Sequence, residues 1–397
     1  MDTLITSYTI NFQLDNSYLV DYNNYFPSIK LLTCHQNDNI DEYILDTERM
    51  HKLFATKNRI DNYYNAGGWD TLKKRTNPFE MIYLTNKKQR SQSISKYDPL
   101  SRSYFKMIEM GYEFLQNHLT KTKPITTAHL AEGPGGFIEG ICNIRDNPLD
   151  NIYGMTLVSH NREVPGWHRS WYFLSKHPNV NILKGLDNTG NLYNVDNHIF
   201  MEYRIANKAE LITADGGFDF SVNYNQQEFQ AQRLIFSQVI LAVAIQEKGG
   251  SFICKFFDTY SYISNQIIFL LQCLYTSITI FKPWTSRPAN SERYLICQGF
   301  KGISARNIAI LRHTLTTWNK LPKGIKMKSL FDYMPPKFIQ QMKNINQAIQ
   351  NEQTKYINAT INLMENPTKN NIPYTYTNQQ QIELARIWCK KYNVPHT

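Results

Sequence analysis

Ile125-Thr-Thr-Ala-His-Leu-Ala-Glu-Gly-Pro-Gly-Gly-Phe137 carries an apolar strand into a glycine-rich turn that opens a helix. Glycines at such a junction permit positive φ and a close backbone approach. The amides at the helix start favour a carboxylate or a phosphate. An ordinary tight turn looks the same, and several nucleotide-binding folds share it, so the turn alone names no ligand. Working outward, the pattern repeats. Strands are predicted at Ile125–Leu130, Ile152–Leu157, Val180–Leu183, Leu211–Ala214, Ser251–Phe256, Ile278–Phe281 and Tyr294–Gln298. Helices are predicted at Tyr104–Leu119, Gln226–Glu247 and Ser261–Leu274. Short apolar strands alternating with helices predict an α/β fold, a mostly parallel, doubly wound sheet flanked by helices. Such sheets hold ligands beyond the C-terminal ends of their strands. Glu132–Gly136, Asp215 and Lys255 all fall at or just past strand ends, so one crevice can hold them.

The flanks read differently. Residues 1–97 form an N-terminal extension with a helix predicted at Asp41–Asn65 and two short basic clusters, Lys73-Lys-Arg75 and Lys87-Lys-Gln-Arg90. The clusters suit a solvated face, an RNA-facing rim or a nuclear import signal. Residues 98–302 form the α/β unit. Residues 303–397 form a helical C-terminal extension, with helices predicted at Ser304–Lys320, Pro336–Met364 and Asn378–Tyr392, the last capped by Asn378.

Hydrophobic residues make up 42% of the 397, enough for a sizeable core. Apolar runs such as Ile267–Leu271 fall far short of the ~20 residues that span a bilayer, so no membrane association is expected. Met1-Asp-Thr-Leu shows no signal-peptide pattern. Six scattered cysteines without a CxxC pair argue against zinc or a disulfide framework and suit buried, reduced thiols in an intracellular protein. No metal is expected. The net charge of +10 suits a polyanionic partner, because lysines and arginines displace phosphate counterions.

Three charged residues stand at the ends of apolar runs: Asp215 after Leu211–Ala214, Lys255 inside Ser251–Phe257, and Glu292 just before Tyr294–Gln298. A lysine in an apolar strand is costly to bury unless it is paired or functional. The alternatives are an aspartate capping a turn, a lysine snorkelling to water, and a surface-loop glutamate. Lys106, by sequence alone, is an ordinary lysine at an amphipathic helix start.

Residues 100–300 resemble the FtsJ-type ribose 2′-O-methyltransferases, and in particular the mRNA cap-1 methyltransferases of eukaryotes and large DNA viruses. The resemblance is carried by Ala214-Asp-Gly-Gly-Phe218, Gly249-Gly-Ser-Phe-Ile-Cys-Lys255, Lys282-Pro-Trp-Thr-Ser-Arg-Pro-Ala-Asn-Ser-Glu-Arg-Tyr294 and Tyr153-Gly-Met-Thr-Leu157. It implies a Rossmann-like, seven-stranded sheet and S-adenosyl-L-methionine as cofactor. It places the family's Lys-Asp-Lys-Glu tetrad on Lys106, Asp215, Lys255 and Glu292. It implies cofactor contacts at Glu132, Gly133, Pro134, Gly135, Gly136, Phe137, Asp187 and Asp215, and substrate contacts at Arg102, Lys282, Arg287 and Asn290. The chain departs from the family pattern at Glu132, where a small residue is usual, near His129, where an aspartate is usual, and at Asn191, where an acidic residue is expected.

The chemistry so implied is methyl transfer to a ribose hydroxyl. Lys255 accepts or polarises the hydroxyl proton, Asp215 and Glu292 position it, and Lys106 helps hold the ribose or a phosphate. An amine with a reference pKa of about 10.4 must be depressed to act as a base near neutrality, and the sequence sets acids against cations around it without deciding between them. The resemblance implies capped mRNA as substrate, with Tyr63, Tyr64, Trp69, Tyr83 and Trp284 as candidates for stacking a base or, equally, for packing. A ribosomal or transfer RNA 2′-O-methyltransferase and a catalytically silent RNA-binding subunit are the alternatives. The flanks leave room for a partner such as capping or transcription machinery. The compartment, nucleus or cytoplasm with viral replication sites and virions included, is left undecided.

Overall fold

A computed structural model describes residues 11–22, 26–35, 43–45, 47–64, 68–86, 88–119, 123–161, 163–218, 224–366 and 372–397. Its centre is an eight-stranded sheet. In chain order the strands are β1 (Phe12–Gln13), β3 (Thr126–Leu130), β4 (Asn151–Met155), β5 (Val180–Leu183), β6 (Ala209–Ala214), β7 (Gln246–Phe256), β8 (Tyr275–Phe281) and β9 (Arg293–Phe300). A separate pair consists of β2 (Ile29–His35) and β10 (Ile325–Phe331). The large sheet runs β1-β8-β9-β7-β6-β3-β4-β5. Strands β7, β6, β3, β4 and β5 are parallel, while β8 and β9 are antiparallel to their neighbours. All seven expected strands are present, and the eighth, β1, is a two-residue addition from the N-terminal flank along β8.

The order of strands positions the site. From β3 the chain steps outward to β4 and β5, then returns to lay β6 on the other side of β3. The switch point between β3 and β6 opens a crevice at their C-terminal ends. Antiparallel β9 then brings its N-terminal end to the same edge, with Arg293 opposite Phe256 and Tyr294 opposite Lys255.

Burial explains these elements. All five residues of β3 are buried, as a central parallel strand requires. The helix Gln227–Ile245 is apolar nearly all round because it lies within the core, packed under the helix Ala305–Asn319. The helix Tyr262–Leu274 begins where the Ser261 hydroxyl accepts the Ser264 amide.

The flanks wrap the sheet from both ends of the chain. β2 pairs antiparallel with β10, and Gln266 docks that ribbon by bonding Ser329, Leu330 and Phe331. β10 was not expected. Its alternation, Ile-Lys-Met-Lys-Ser-Leu-Phe, lies in a short gap between prolines, and its pairing partner is about 300 positions away in sequence, beyond any local window. The helix Thr47–Tyr64 packs on the 30-residue helix Pro336–Glu365. The last helix, Asn378–Lys391, is capped by Thr377 rather than Asn378, in a reciprocal box with Gln380. All six cysteines are free thiols, four of them buried. Among the described residues no helix is long and apolar enough to cross a membrane.

Candidate functional site

The four tetrad positions meet at the crevice as two ion pairs. Lys255, at the end of β7, lies 3.2 Å from the Asp215 carboxylate and donates to the Asp215 carbonyl at 2.6 Å. Lys106, on the helix Ser103–Phe114, lies 2.7 Å from Glu292. All four side chains are mostly buried, with 12–16% of each exposed. Tyr294, opposite Lys255 in the ladder, donates its hydroxyl to Asp215 Oδ1 at 2.9 Å. In the sequence Tyr294 is the last residue of the Lys282–Tyr294 motif, where nothing local marks a role for it. Strand register is the signal that finds it.

Electrostatics link the pairs. Burial pushes the Glu292 carboxyl up, but Lys106, Lys255 and Lys282 outweigh it and hold the group down at about 2. Burial pulls the Lys255 ammonium down, while Asp215 and Glu292, with a further contribution from Glu132, raise it above its ordinary value. The balance left open by the sequence therefore falls on the side of the acids: Lys255 rests charged.

The turn Ala131–Gly136 joins this centre to the helix Gly136–Arg145. Gly135 takes φ 104°, a conformation other residues resist. At Gly136 a Cβ would lie 2.2 Å from Ser103 Oγ and 2.3 Å from Ser101 Oγ. The glycine thus lets the turn press onto the start of the helix that bears Lys106, so the close approach it permits is by the chain's own atoms. Phe137 is fully buried and tilts against the Tyr294 ring, so it packs rather than lining a ligand. Pro134 accepts a hydrogen bond from Ser170 through its carbonyl.

Glu132 is buried within the same centre, where Thr213 Oγ1 donates to it at 2.5 Å. Asp187 turns inward on its own loop, with its carboxylate taking four hydrogen bonds from Thr189, Asn194 and Asn197. Burial is the largest single influence and opposes the charge, but those donors together outweigh it and hold the carboxyl below the usual range. It shapes the loop beside the cofactor turn. Exposed Leu157, Val158 and Leu186 line the ends of β4 and β5 next to it. The indole N–H of Trp167, beside Gly135, is buried without an acceptor among the described residues.

On the other side of Glu292 a cavity of about 230 Å³ is lined by Lys57, Trp69, Lys73, Arg287 and Asn290. Arg287 and Asn290 are therefore where a substrate could reach them. Arg102 and Lys282 are not. Arg102 is held by the carbonyls of Tyr83 and Thr285, and Lys282 donates to the carbonyls of Asn290 (2.6 Å) and Glu292 (2.8 Å). Both brace the loop that presents Glu292. Burial drives the Lys282 ammonium well below its ordinary range. Glu80, which the sequence reading did not single out, takes two bonds from Arg287 and lies 3.8 Å from Arg102. Burial works against its charge, but the two guanidinium groups hold it at about 2. Lys57, Lys73 and Arg287 against the one lining carboxylate, Glu292, leave the cavity wall positive.

Of the stacking candidates, Trp69 is at the cavity. Trp284 stacks on Phe79 with ring centroids 5.2 Å apart, Tyr83 bonds Asp98, and Tyr63 bonds Glu365. The side chain of Tyr64, together with Lys87 of the second basic cluster, lies outside the described residues.

Comparison with known proteins agrees with this geometry. Residues 99–300 match the FtsJ-like methyltransferase family. The cap-specific mRNA (nucleoside-2′-O-)-methyltransferase 1 of Trypanosoma cruzi is 28% identical over 250 residues, 61% of this chain and 67% of that protein. The human protein of the same name is 29% identical over 267 residues, 64% of this chain but 31% of that one. The chain thus spans about a third of the mammalian relatives. Among solved structures, human methyltransferase-like protein 13 aligns at TM-score 0.35 and 13% identity over 56% of this chain and 94% of that one, too remote to bear on the site. The family segment contains the turn, both ion pairs and the strand order that unites them, and the chain belongs to the FtsJ-like methyltransferases.

Proposed function

We propose that the chain is an S-adenosylmethionine-dependent ribose 2′-O-methyltransferase that acts on the 5′ end of capped mRNA. The observation that carries the reading is the pair of ion pairs, Lys255–Asp215 and Lys106–Glu292, set between the cofactor turn and a positively walled cavity.

The residues present fit the cofactor. The start of the helix Gly136–Arg145 offers amides and a positive dipole end to a carboxylate. Leu157, Val158 and Leu186 offer an apolar wall to a base, and the buried Trp167 N–H lacks an acceptor among the described residues. When bound, the cofactor supplies an electrophilic methyl group. The chain supplies the rest. Lys255 faces the place where the 2′-oxygen develops charge, and its ammonium orients that hydroxyl and stabilises the nascent alkoxide. Asp215 and Tyr294 fix Lys255. Glu292, held ionised chiefly by Lys106 and Lys255, fixes the far side of the cluster. The ribose proton passes to Lys255 after the partly exposed ammonium has released one proton to water, and the ammonium so re-formed gives that proton to water in turn.

The substrate assignment rests on the cavity beside Glu292 and on the cap-specific relatives. A short RNA end can place one base against Trp69 and a phosphate near Arg287. Trp69, Lys57 and Lys73 all come from outside the family segment, so the flank shapes the pocket.

Incubation with a labelled methyl donor and matched capped and uncapped 20-nucleotide-scale RNAs tests this. The expected product, by nuclease digestion and mass measurement, is a 2′-O-methylated first nucleotide on capped RNA only. Equal labelling of uncapped or ribosomal fragments would return the ribosomal or transfer RNA alternative, and no labelling of any RNA would return the silent subunit. Arg287→Ala should raise KM for RNA about fivefold to tenfold and make the log–log salt slope shallower by about 0.7, the share of one lost phosphate contact on single strands. Cofactor affinity should stay as it was.

A further inference from the structure

Glu132 stands where the cofactor turn leaves β3, yet its side chain turns away from the turn's open face. Ala131 before it adopts φ 54°, an unusual conformation for a residue with a Cβ, and this sends Glu132 into the core, where it is 4% exposed. A buried chain of polar groups ends on it. Thr127 Oγ1 lies 2.9 Å from His129 Nε2, and His129 Nδ1 lies 2.7 Å from Thr213 Oγ1, which donates to Glu132 Oε1 at 2.5 Å. Every member is buried, in the middle of the parallel sheet.

The proton arithmetic of this chain is constrained. Thr213 has one hydroxyl proton. When Glu132 is ionised, that proton goes to the carboxylate, so His129 Nδ1 must carry a proton and Nε2 must accept from Thr127. When Glu132 is protonated, the whole chain can reverse. His129 is neutral in either state, its imidazole pushed down to about 3 by burial.

We propose that Glu132 is a positioning residue of the catalytic centre, locked by the Thr127–His129–Thr213 chain, and that its carboxyl sets the field in which Lys255 works. This rests on the methyltransferase reading above. Glu132 faces Thr213 and Asp215 from β6, Lys255 from β7, the Phe137 amide from the helix Gly136–Arg145, and Tyr294 from β9. Lys255 in turn faces Asp215, Glu292 and Glu132, with the Phe257 ring 5.7 Å away. Burial and the Asp215 charge push the Glu132 carboxyl up. A third acid beside one amine makes proton movement at Lys255 depend on Glu132.

Three variants test it, Glu132→Gln, Thr213→Val and the double variant. Each is checked for fold by circular dichroism and for cofactor affinity by calorimetry, alongside kcat across pH 6–9. For Glu132→Gln and Thr213→Val we expect kcat to fall about tenfold or more, with cofactor affinity within about threefold of the parent. In Glu132→Gln the carboxyl, which burial and Asp215 push up in the parent, can no longer ionise, so at pH values where the parent's Glu132 is charged the Lys255 ammonium loses that support and gives up its proton at lower pH. The double variant should be no slower than the slower single one, because the chain acts as one unit. Parental kcat and pH profile in Glu132→Gln would overturn the proposal. Additive losses in the double variant, or lost cofactor affinity with kcat kept, would do the same, the last making Glu132 a cofactor contact. A parent protein inactive on every RNA would instead sink the functional reading, a separate result.

Discussion

Replacing Lys255 by alanine should lower kcat about a thousandfold or more, within the range expected when a combined proton-transfer and charge-stabilising group is lost. Fold and cofactor affinity should survive, because the Lys255 amine bonds Asp215 and no part of the turn. Lys255→Arg should fail nearly as badly. A guanidinium keeps the charge, but it is planar and does not release its proton. Parental rates should rise steadily from pH 7 to 9. Lys255 is held charged by Asp215 and Glu292, and the neutral fraction of an amine below its pKa grows about tenfold per unit. Single-turnover methyl transfer measures this without interference from product release. Retention of more than a tenth of the parental rate in Lys255→Ala would remove that residue from the chemistry.

Much of this centre could be read from the chain because it is carried by short, local signals. Asp215 follows one apolar run and Lys255 lies near the end of another, both runs read as buried parallel strands, so the fold rule about strand ends places both at the crevice. Glu292 reaches the same edge because β9 runs antiparallel, a fact of topology that motif order implies and periodicity does not. What stayed hidden is non-local. The role of Tyr294 depends on its register against Lys255. The bracing role of Arg102 depends on the Thr285 carbonyl, 183 positions away, and that of Lys282 on the way its own loop folds back to bring the Asn290 and Glu292 backbone carbonyls onto it. Glu109 gave no sign of itself, though it accepts bonds from the Trp284 and Thr285 amides and from the Trp388 indole, tying the last helix to the Glu292 loop. Burial pushes its carboxyl up, against those donors, to about 7. β10 escaped because its partner β2 lies in the opposite flank.

Asp215 separates charge from shape, which gives the second large effect. Asp215→Asn keeps an oxygen for the Tyr294 hydroxyl and for Lys255, and removes only the negative charge. We expect kcat at its pH optimum to fall roughly a hundredfold to a thousandfold. The pH dependence should move as well. With the acid gone, burial, which already opposes the Lys255 ammonium, meets less resistance; the amine's pKa falls and the rising limb shifts to lower pH. Asp215→Ala goes further. It strands the buried Tyr294 hydroxyl, at a cost of about 1–3 kcal/mol, and leaves an ammonium short of its partner. Breaking a fully buried pair costs about 3–5 kcal/mol, discounted here because both side chains retain some exposure to water. Thermal unfolding should therefore separate the two variants, with Asp215→Asn close to the parent and Asp215→Ala clearly lower, while both are nearly inactive. If Asp215→Asn kept both the rate and the pH profile of the parent, the charge of Asp215 would be irrelevant, and Lys255 would need another source for its proton affinity.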